Sequence, residues 1–198
     1  MTEDDVVSAK KESRKKALTA RRNLTPVQRE LYSDAIFQRL QRQPIWETAR
    51  RVMAYASLKD EVHTEAILRA LLARGKEVCI PFLTEAHRME AVRLPSLKAM
   101  ETGAYGISTV SEAERKVIAP ESIDLILVPG VAFSLSGDRL GMGGGYYDVF
   151  LPRAEKAFRL GLAYQCQIFP SLPTTARDAG VDMVLTEKET LYGKQRNL

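Results

Sequence analysis

The chain has 198 residues, 45% of them hydrophobic and 27% charged, enough for one well-buried domain and ordinary for a soluble globular protein. No run of about 18 apolar residues occurs, and the opening MTEDDVVSAKKESRKKAL sets acids where a secretory signal needs an apolar stretch. The net charge of +4 gathers at residues 10–22 without interleaved aromatic residues, which argues against a nucleic-acid surface and leaves a solvated helix face or a site for a small polyanion.

Residues 6–23 favour a helix with a thin stripe of Val6, Ala9, Ser13, Ala17 and Ala20. Thr25, Pro26 and Gln28 then form a capping box that opens a second helix, whose apolar side is Val27, Leu31, Ile36 and Leu40. From there strand and helix alternate. RVMAYAS (51–57) reads as a strand, TEAILRALLARG (64–75) as a helix capped by Thr64 and closed by Gly75, and EVCIPFL (77–83) as a strand. MEAVRL (89–94) is a further strand, and DLILVPG (124–130) is short and continuously apolar, as suits a strand buried on both faces. Residues 145–157 read as helix, and 159–164 and 182–187 as strands. Cys79 and Cys166 lie in apolar stretches and read as core residues of a reducing compartment, so the cytoplasm is the expected address. The alternation predicts a single α/β domain over 1–198. It should hold a Rossmann-like, open, mainly parallel sheet flanked by helices, with an N-terminal helical segment (6–45) packed on it. Ligands of such sheets bind beyond the carboxyl ends of the strands.

RLGMGGGYYD (139–148) is the most unusual stretch: Gly141, Gly143, Gly144 and Gly145 fall within five positions. Glycines let backbone N–H groups converge on an anion, and a following helix start adds unpaired donors, so a phosphate cradle is the stronger reading beside a plain tight turn. No Lys-Ser or Lys-Thr follows, as a Walker A loop requires. Positions 146 and 148, where the dinucleotide fingerprint would need glycine, are Tyr146 and Asp148. Asp148 either complements the helix dipole or joins phosphate oxygens in holding Mg²⁺. Tyr146 and Tyr147 either pack or stack on a planar ring. The two histidines, His63 and His87, have no metal-ligand spacing, and His63 beside a helix start reads as a surface residue. Chemistry without a histidine base is compatible with phosphoryl transfer, where positioning and charge neutralisation dominate.

The loop resembles the signature of the 5-formyltetrahydrofolate cyclo-ligase (methenyltetrahydrofolate synthetase) family. KKESR, SLKDEVHTEAI, DLILVPGVAF, GLAYQCQ and DAGVDMVLTE fall in that family's order, from about residue 9 to 187. The resemblance implies an α/β fold and a ligase that couples ATP hydrolysis, with Mg²⁺, to cyclisation of 5-formyltetrahydrofolate, polyglutamylated or not, into 5,10-methenyltetrahydrofolate. By the same resemblance Lys10, Lys11 and Arg14, together with Arg139, Leu140, Gly141, Met142, Gly143, Gly144, Gly145, Tyr146 and Tyr147, would contact ATP. Lys10, Arg14, Arg139 and Tyr147 would serve the reaction itself. Ala56, Glu61 and Met142 to Tyr146 would border the folate, with Glu61 hydrogen-bonding the pterin. Asp148 and Asp178 would take the metal, with Asp182 as a second candidate. Some members carry Lys at the position of Gly144 and a basic residue at that of Met142, many have His in place of Arg177, and Arg often stands where this chain has Val149. Arg139, Lys10 and Lys11 would then have to neutralise the triphosphate. A monomer without nucleic-acid or membrane partners is expected. The competing readings are a non-catalytic ATP or folate sensor, a basic nucleic-acid module, and a sugar-phosphate isomerase or acyl-CoA transferase on a similar sheet.

Overall fold

The computed structural model describes residues 2–84, 86, 88–103 and 106–194; His87 lies outside them. Helix α1 (Glu3–Arg22) is followed by α2 (Pro26–Gln41), which starts from the predicted capping box, with the Thr25 hydroxyl accepting from Gln28 N. A short α3 (Pro44–Thr48) leads to β1 (Arg51–Met53), α4 (Glu65–Ala73), β2 (Glu77–Leu83) and β3 (Met89–Arg93). An antiparallel ribbon of β4 (Met100–Thr102) and β5 (Ser108–Val110) precedes β6 (Val117–Ile118) and β7 (Leu125–Val128). Next come β8 (Ala132–Ser134), β9 (Arg139–Leu140), α5 (Tyr146–Phe150), β10 (Phe158–Leu162), β11 (Ile168–Phe169), β12 (Met183–Leu185) and β13 (Thr190–Tyr192).

Eight strands form the central sheet in the order β13-β12-β10-β7-β1-β2-β3-β6. The five inner strands, β12 to β2, pair in parallel, and β13, β3 and β6 add antiparallel edges. Alternate side chains serve two layers, as the period of a strand demands. Val52, Val78, Ile80, Leu125, Leu127 and Leu160 meet Ile36 and Leu40 of α2, Trp46 of α3 and Ile67, Leu68 and Leu71 of α4. Met53, Cys79, Ile126, Val128 and Val184 face the other way, onto Phe133, Phe150, Leu151 and Ala154. Each fully buried aliphatic side chain contributes about 1.5–3 kcal/mol. Gly161 of β10 is needed for this second layer: a Cβ there would come within 2.7 Å of the Phe133 ring.

β8, β9 and β11 form a separate small sheet, and α1 lies on it through Ala17 against Val131, Ala132, Leu140 and Leu172. Three local expectations need correction. The stripe of α1 forms only in part: Val6 and Ala17 are buried, Ala9, Ser13 and Ala20 are half-buried, and Arg21 joins the buried face. Thr64 stands at the start of α4 but makes no side-chain cap, because its hydroxyl donates to Tyr55 O (2.6 Å) and accepts from Ser57 N. The helix expected at 145–157 is a five-residue turn followed by a 3₁₀ turn at Leu151–Arg153, where Pro152 has no N–H to extend it.

Candidate active site

β1 and β7 are neighbours from which the chain departs in opposite directions, β1 through α4 to β2 and β7 towards β10. Such a switch point opens a crevice beyond the carboxyl ends of the strands. Here the crevice is lined by Tyr55, Glu61, Pro129, Gly130, Leu162 and Gln167, with Arg21 of α1 reaching in. The segment that brings Glu61 to it is tightly knit. Thr64 ties Tyr55 to Ser57, Leu58 N donates to Glu61 Oε2 at 3.0 Å, and the Tyr55 hydroxyl donates to Val62 O at 3.4 Å. Ala56 is buried within the same segment. The Glu61 side chain is only 15% exposed, and that burial pushes its carboxyl above the ordinary glutamate range, against the pull of Leu58 N–H and Arg21.

The glycine loop forms the other half. It follows β9 rather than the buried strand β7, and α5 beyond it is too short to supply a large dipole. What remains of the cradle is backbone: Gly143 (φ +110°) and Gly145 (φ +70°) adopt conformations that other residues rarely reach. Met142 at the tip is 65% exposed. Arg14 on α1 fixes the loop by donating Nε–H to Gly141 O at 2.8 Å. Leu140 is buried below it, and the ring of Tyr146 lies over Gly144, where a Cβ would approach it to 2.9 Å. Glycine at 144 thus makes room for that ring.

Arg139 does not face the loop's open side. It is 5% exposed, and its guanidinium donates to Asp148 Oδ1 (2.6 Å), Ala179 O and Pro129 O beneath the glycines. Its charge sits 5.5 Å from the centre of the Tyr147 ring. The Tyr147 hydroxyl is buried without a hydrogen-bond partner, and burial drives its pKa far up, while Arg139 lowers it and Glu61 raises it.

The segments of the two expected metal carboxylates meet. Ala179 N donates to Asp148 Oδ1 at 3.1 Å, which places Asp148 beside the residue following Asp178. Asp178 is ion-paired with Lys10 at 2.6 Å and also accepts from Thr175 N and Oγ1. Asp182 lies elsewhere, at the amino end of β12, where its carboxylate accepts from Arg159 N. Lys11 is on the exposed side of α1, as is Arg177 on its own segment, and His63 is exposed as expected. A separate cavity of about 170 Å³ between β2 and the β4–β5 ribbon, lined among others by Phe82, Ile107 and Thr109, contains none of the predicted site residues.

Lys10, Arg14, the glycine loop, Asp148 and the Asp178 segment are thus joined by hydrogen bonds, while the largely buried Glu61 side chain lies at the switch point. The model of the 5-formyltetrahydrofolate cyclo-ligase family matches residues 6–187. The chain belongs to that family. Its members are ligases, and so is this enzyme. A 5-formyltetrahydrofolate cyclo-ligase of Mus musculus is 32% identical over 153 residues, covering 72% of this chain and 75% of that protein. The solution structure of the 5,10-methenyltetrahydrofolate synthetase of Aquifex aeolicus superposes with a TM-score of 0.82 at 36% identity, over 96% of this chain and 95% of that one. A 5,10-methenyltetrahydrofolate synthetase of Mycoplasma pneumoniae, at 22% identity and a TM-score of 0.73 over 90% of this chain and 98% of that one, shares the fold. The residues that sequence reasoning missed are Arg21, Tyr55, Tyr164 and Gln167. Only Arg21 left a signal, since Lys10, Arg14, Ala17 and Arg21 recur at helical spacing on one face.

Proposed function

We propose that the enzyme cyclises 5-formyltetrahydrofolate to 5,10-methenyltetrahydrofolate at the expense of ATP and with Mg²⁺, the triphosphate lying along the glycine loop and the pterin against Glu61. The observation that carries this reading is α1, which sets Lys10 and Arg14 against the two flanks of the loop, Asp178 and Gly141 O. The donor set fits the ion. Among the described residues no cluster of three or more His, Cys, Asp or Glu side chains could cage a metal, and Mg²⁺ bound to nucleotide usually takes only one or two carboxylates with phosphate oxygens and water. Asp148 and Asp178 would hold it, and when bound it would neutralise phosphate charge.

The rest of the chemistry falls to the chain. The formyl oxygen attacks the γ-phosphorus and ADP departs, so that an otherwise poor leaving group becomes a phosphate ester. N10 then bonds to the formyl carbon, loses its proton, and inorganic phosphate is released. Lys10 and Arg14 bind and orient phosphate oxygens, which is the main contribution a protein makes to phosphoryl transfer. Arg139 holds Asp148 and supports the loop from below, and the unpaired Tyr147 hydroxyl is a donor available to a ligand bound between loop and crevice. Without ligand the charges cancel in pairs, Lys10 with Asp178 and Arg139 with Asp148. Nucleotide and cation would exchange into these pairs together.

The test is a spectrophotometric assay with 5-formyltetrahydrofolate, ATP and Mg²⁺, following the near-ultraviolet band of the methenyl product. An ATP-dependent rise, lost in Asp148→Ala, is expected. A flat trace from folded, ATP-binding protein would overturn the catalytic reading in favour of a sensor.

A further inference from the structure

Glu61 is gripped from two directions by side chains that no part of the reaction scheme uses. From α1, Arg21 points its fork at the segment after β1: Nε and Nη2 donate to Asp60 Oδ2 at 3.1 and 3.0 Å, and Nη1 stands 3.9 Å from Glu61 Oε1. From the end of β10, the Tyr164 hydroxyl donates to Glu61 O at 2.8 Å. That hydroxyl also lies 3.2 Å from the Ser33 hydroxyl of α2, which accepts from His63 N at 2.9 Å. Both side chains are almost wholly buried. A buried guanidinium and a buried phenol are costly to place unless their donors are used, and here the donors converge on two neighbouring residues, Asp60 and Glu61. The Glu61 carboxylate is held in turn by Leu58 N.

We infer that Arg21 and Tyr164 are positioning residues that fix the Glu61 carboxylate for the pterin, and that folate affinity depends on them while nucleotide affinity does not. The inference rests on the reading of Glu61 as the folate-binding carboxylate. Arg21 shares α1 with Lys10 and Arg14, yet its own contacts lie two turns away on a different segment, so the two substrates are served by separate parts of one helix.

The test uses Tyr164→Phe, which removes one oxygen without emptying the core, and Arg21→Lys, which keeps the charge but loses the fork. Each should raise the folate KM about tenfold, the loss of one buried hydrogen bond, with the ATP KM changed less than about twofold. Glu61→Gln supplies the reference, and in that background Tyr164→Phe should add less than about twofold, because the hydroxyl acts through Glu61. A generally loosened protein would instead raise both KM values, and the effects of the two substitutions would add; either result overturns the inference. An unchanged folate KM in Glu61→Gln overturns the reading of Glu61 itself. A raised KM in Glu61→Gln with unchanged values in Tyr164→Phe and Arg21→Lys overturns the positioning role alone.

Discussion

At the scale of single residues, the site is built from charges that neutralise one another. Burial alone would push the Asp178 carboxyl up, but the Lys10 ammonium and the N–H and hydroxyl of Thr175 outweigh it and hold it below the ordinary aspartate range. A carboxyl depressed in this way contributes stability above its unfolded value, about 3.9, and loses it as the pH falls through the lower folded value. Thermal melts of the parent and Asp178→Asn should therefore differ at pH 7 and converge between about pH 4 and pH 2; a gap that persists at pH 2 would show that the ion pair is not its source. The other member of the pair leads to a kinetic expectation. Lys10→Ala and Arg14→Ala should each raise the ATP KM about tenfold or more with less than a twofold change in the folate KM, and equal effects on both substrates would sink the assignment. The glycine loop is legible in the sequence because its glycines are near neighbours, whereas the roles of Lys10 and Arg14 come from the family resemblance. Tyr164 leaves no local signal, and Arg21 only its place on the face of Lys10 and Arg14, since both meet the Asp60–Glu61 segment at long range, Glu61 being 103 positions from Tyr164.

The elements show the same division between local and distant causes. The capping box of Thr25 and Gln28 formed as read, because all its partners lie within four residues. Thr64 carries the same cap chemistry, yet the tertiary structure recruits its hydroxyl for Tyr55 O and Ser57 N, and no sequence window contains that competition. Thr64→Val should accordingly cost more than a lost cap. It strands a buried carbonyl and a buried N–H, a penalty of about 1–3 kcal/mol, visible as a lower urea midpoint with an unchanged slope. Because the Glu61 segment loosens with it, the folate KM should rise as well; a stability loss with no KM change would separate that segment from the site. Strands of two or three residues, such as β8, β9 and β11, gave no periodic signal at all, yet they carry the glycine loop.

On the scale of the molecule, the parallel centre of the sheet was legible from runs such as DLILVPG, because strands covered on both faces must be apolar throughout. Of the antiparallel edge strands only β3 was legible, as MEAVRL, while β6 and β13, of two and three residues and partly exposed, were not. The positive charge of the whole chain bears on catalysis. With a net +4, the enzyme should capture ATP more slowly as salt screens its field. We expect kcat/KM for ATP to fall roughly threefold between about 20 and 200 mM NaCl, while kcat stays level. A flat salt profile would locate all the useful charge within the site.

Helix α1 has one more consequence, and it concerns synthesis. Helix α1 carries Lys10, whose partner Asp178 is 168 residues further on, and Arg14, whose partner Gly141 is 127 further on. At about 5–20 residues per second, that helix is exposed for roughly ten to thirty seconds before the parts it joins have been made. Its sparse apolar face suits that interval, offering little for another nascent chain to grasp. The contacts of Lys10 and Arg14 with their partners are therefore completed late, long after the two cations themselves have been translated.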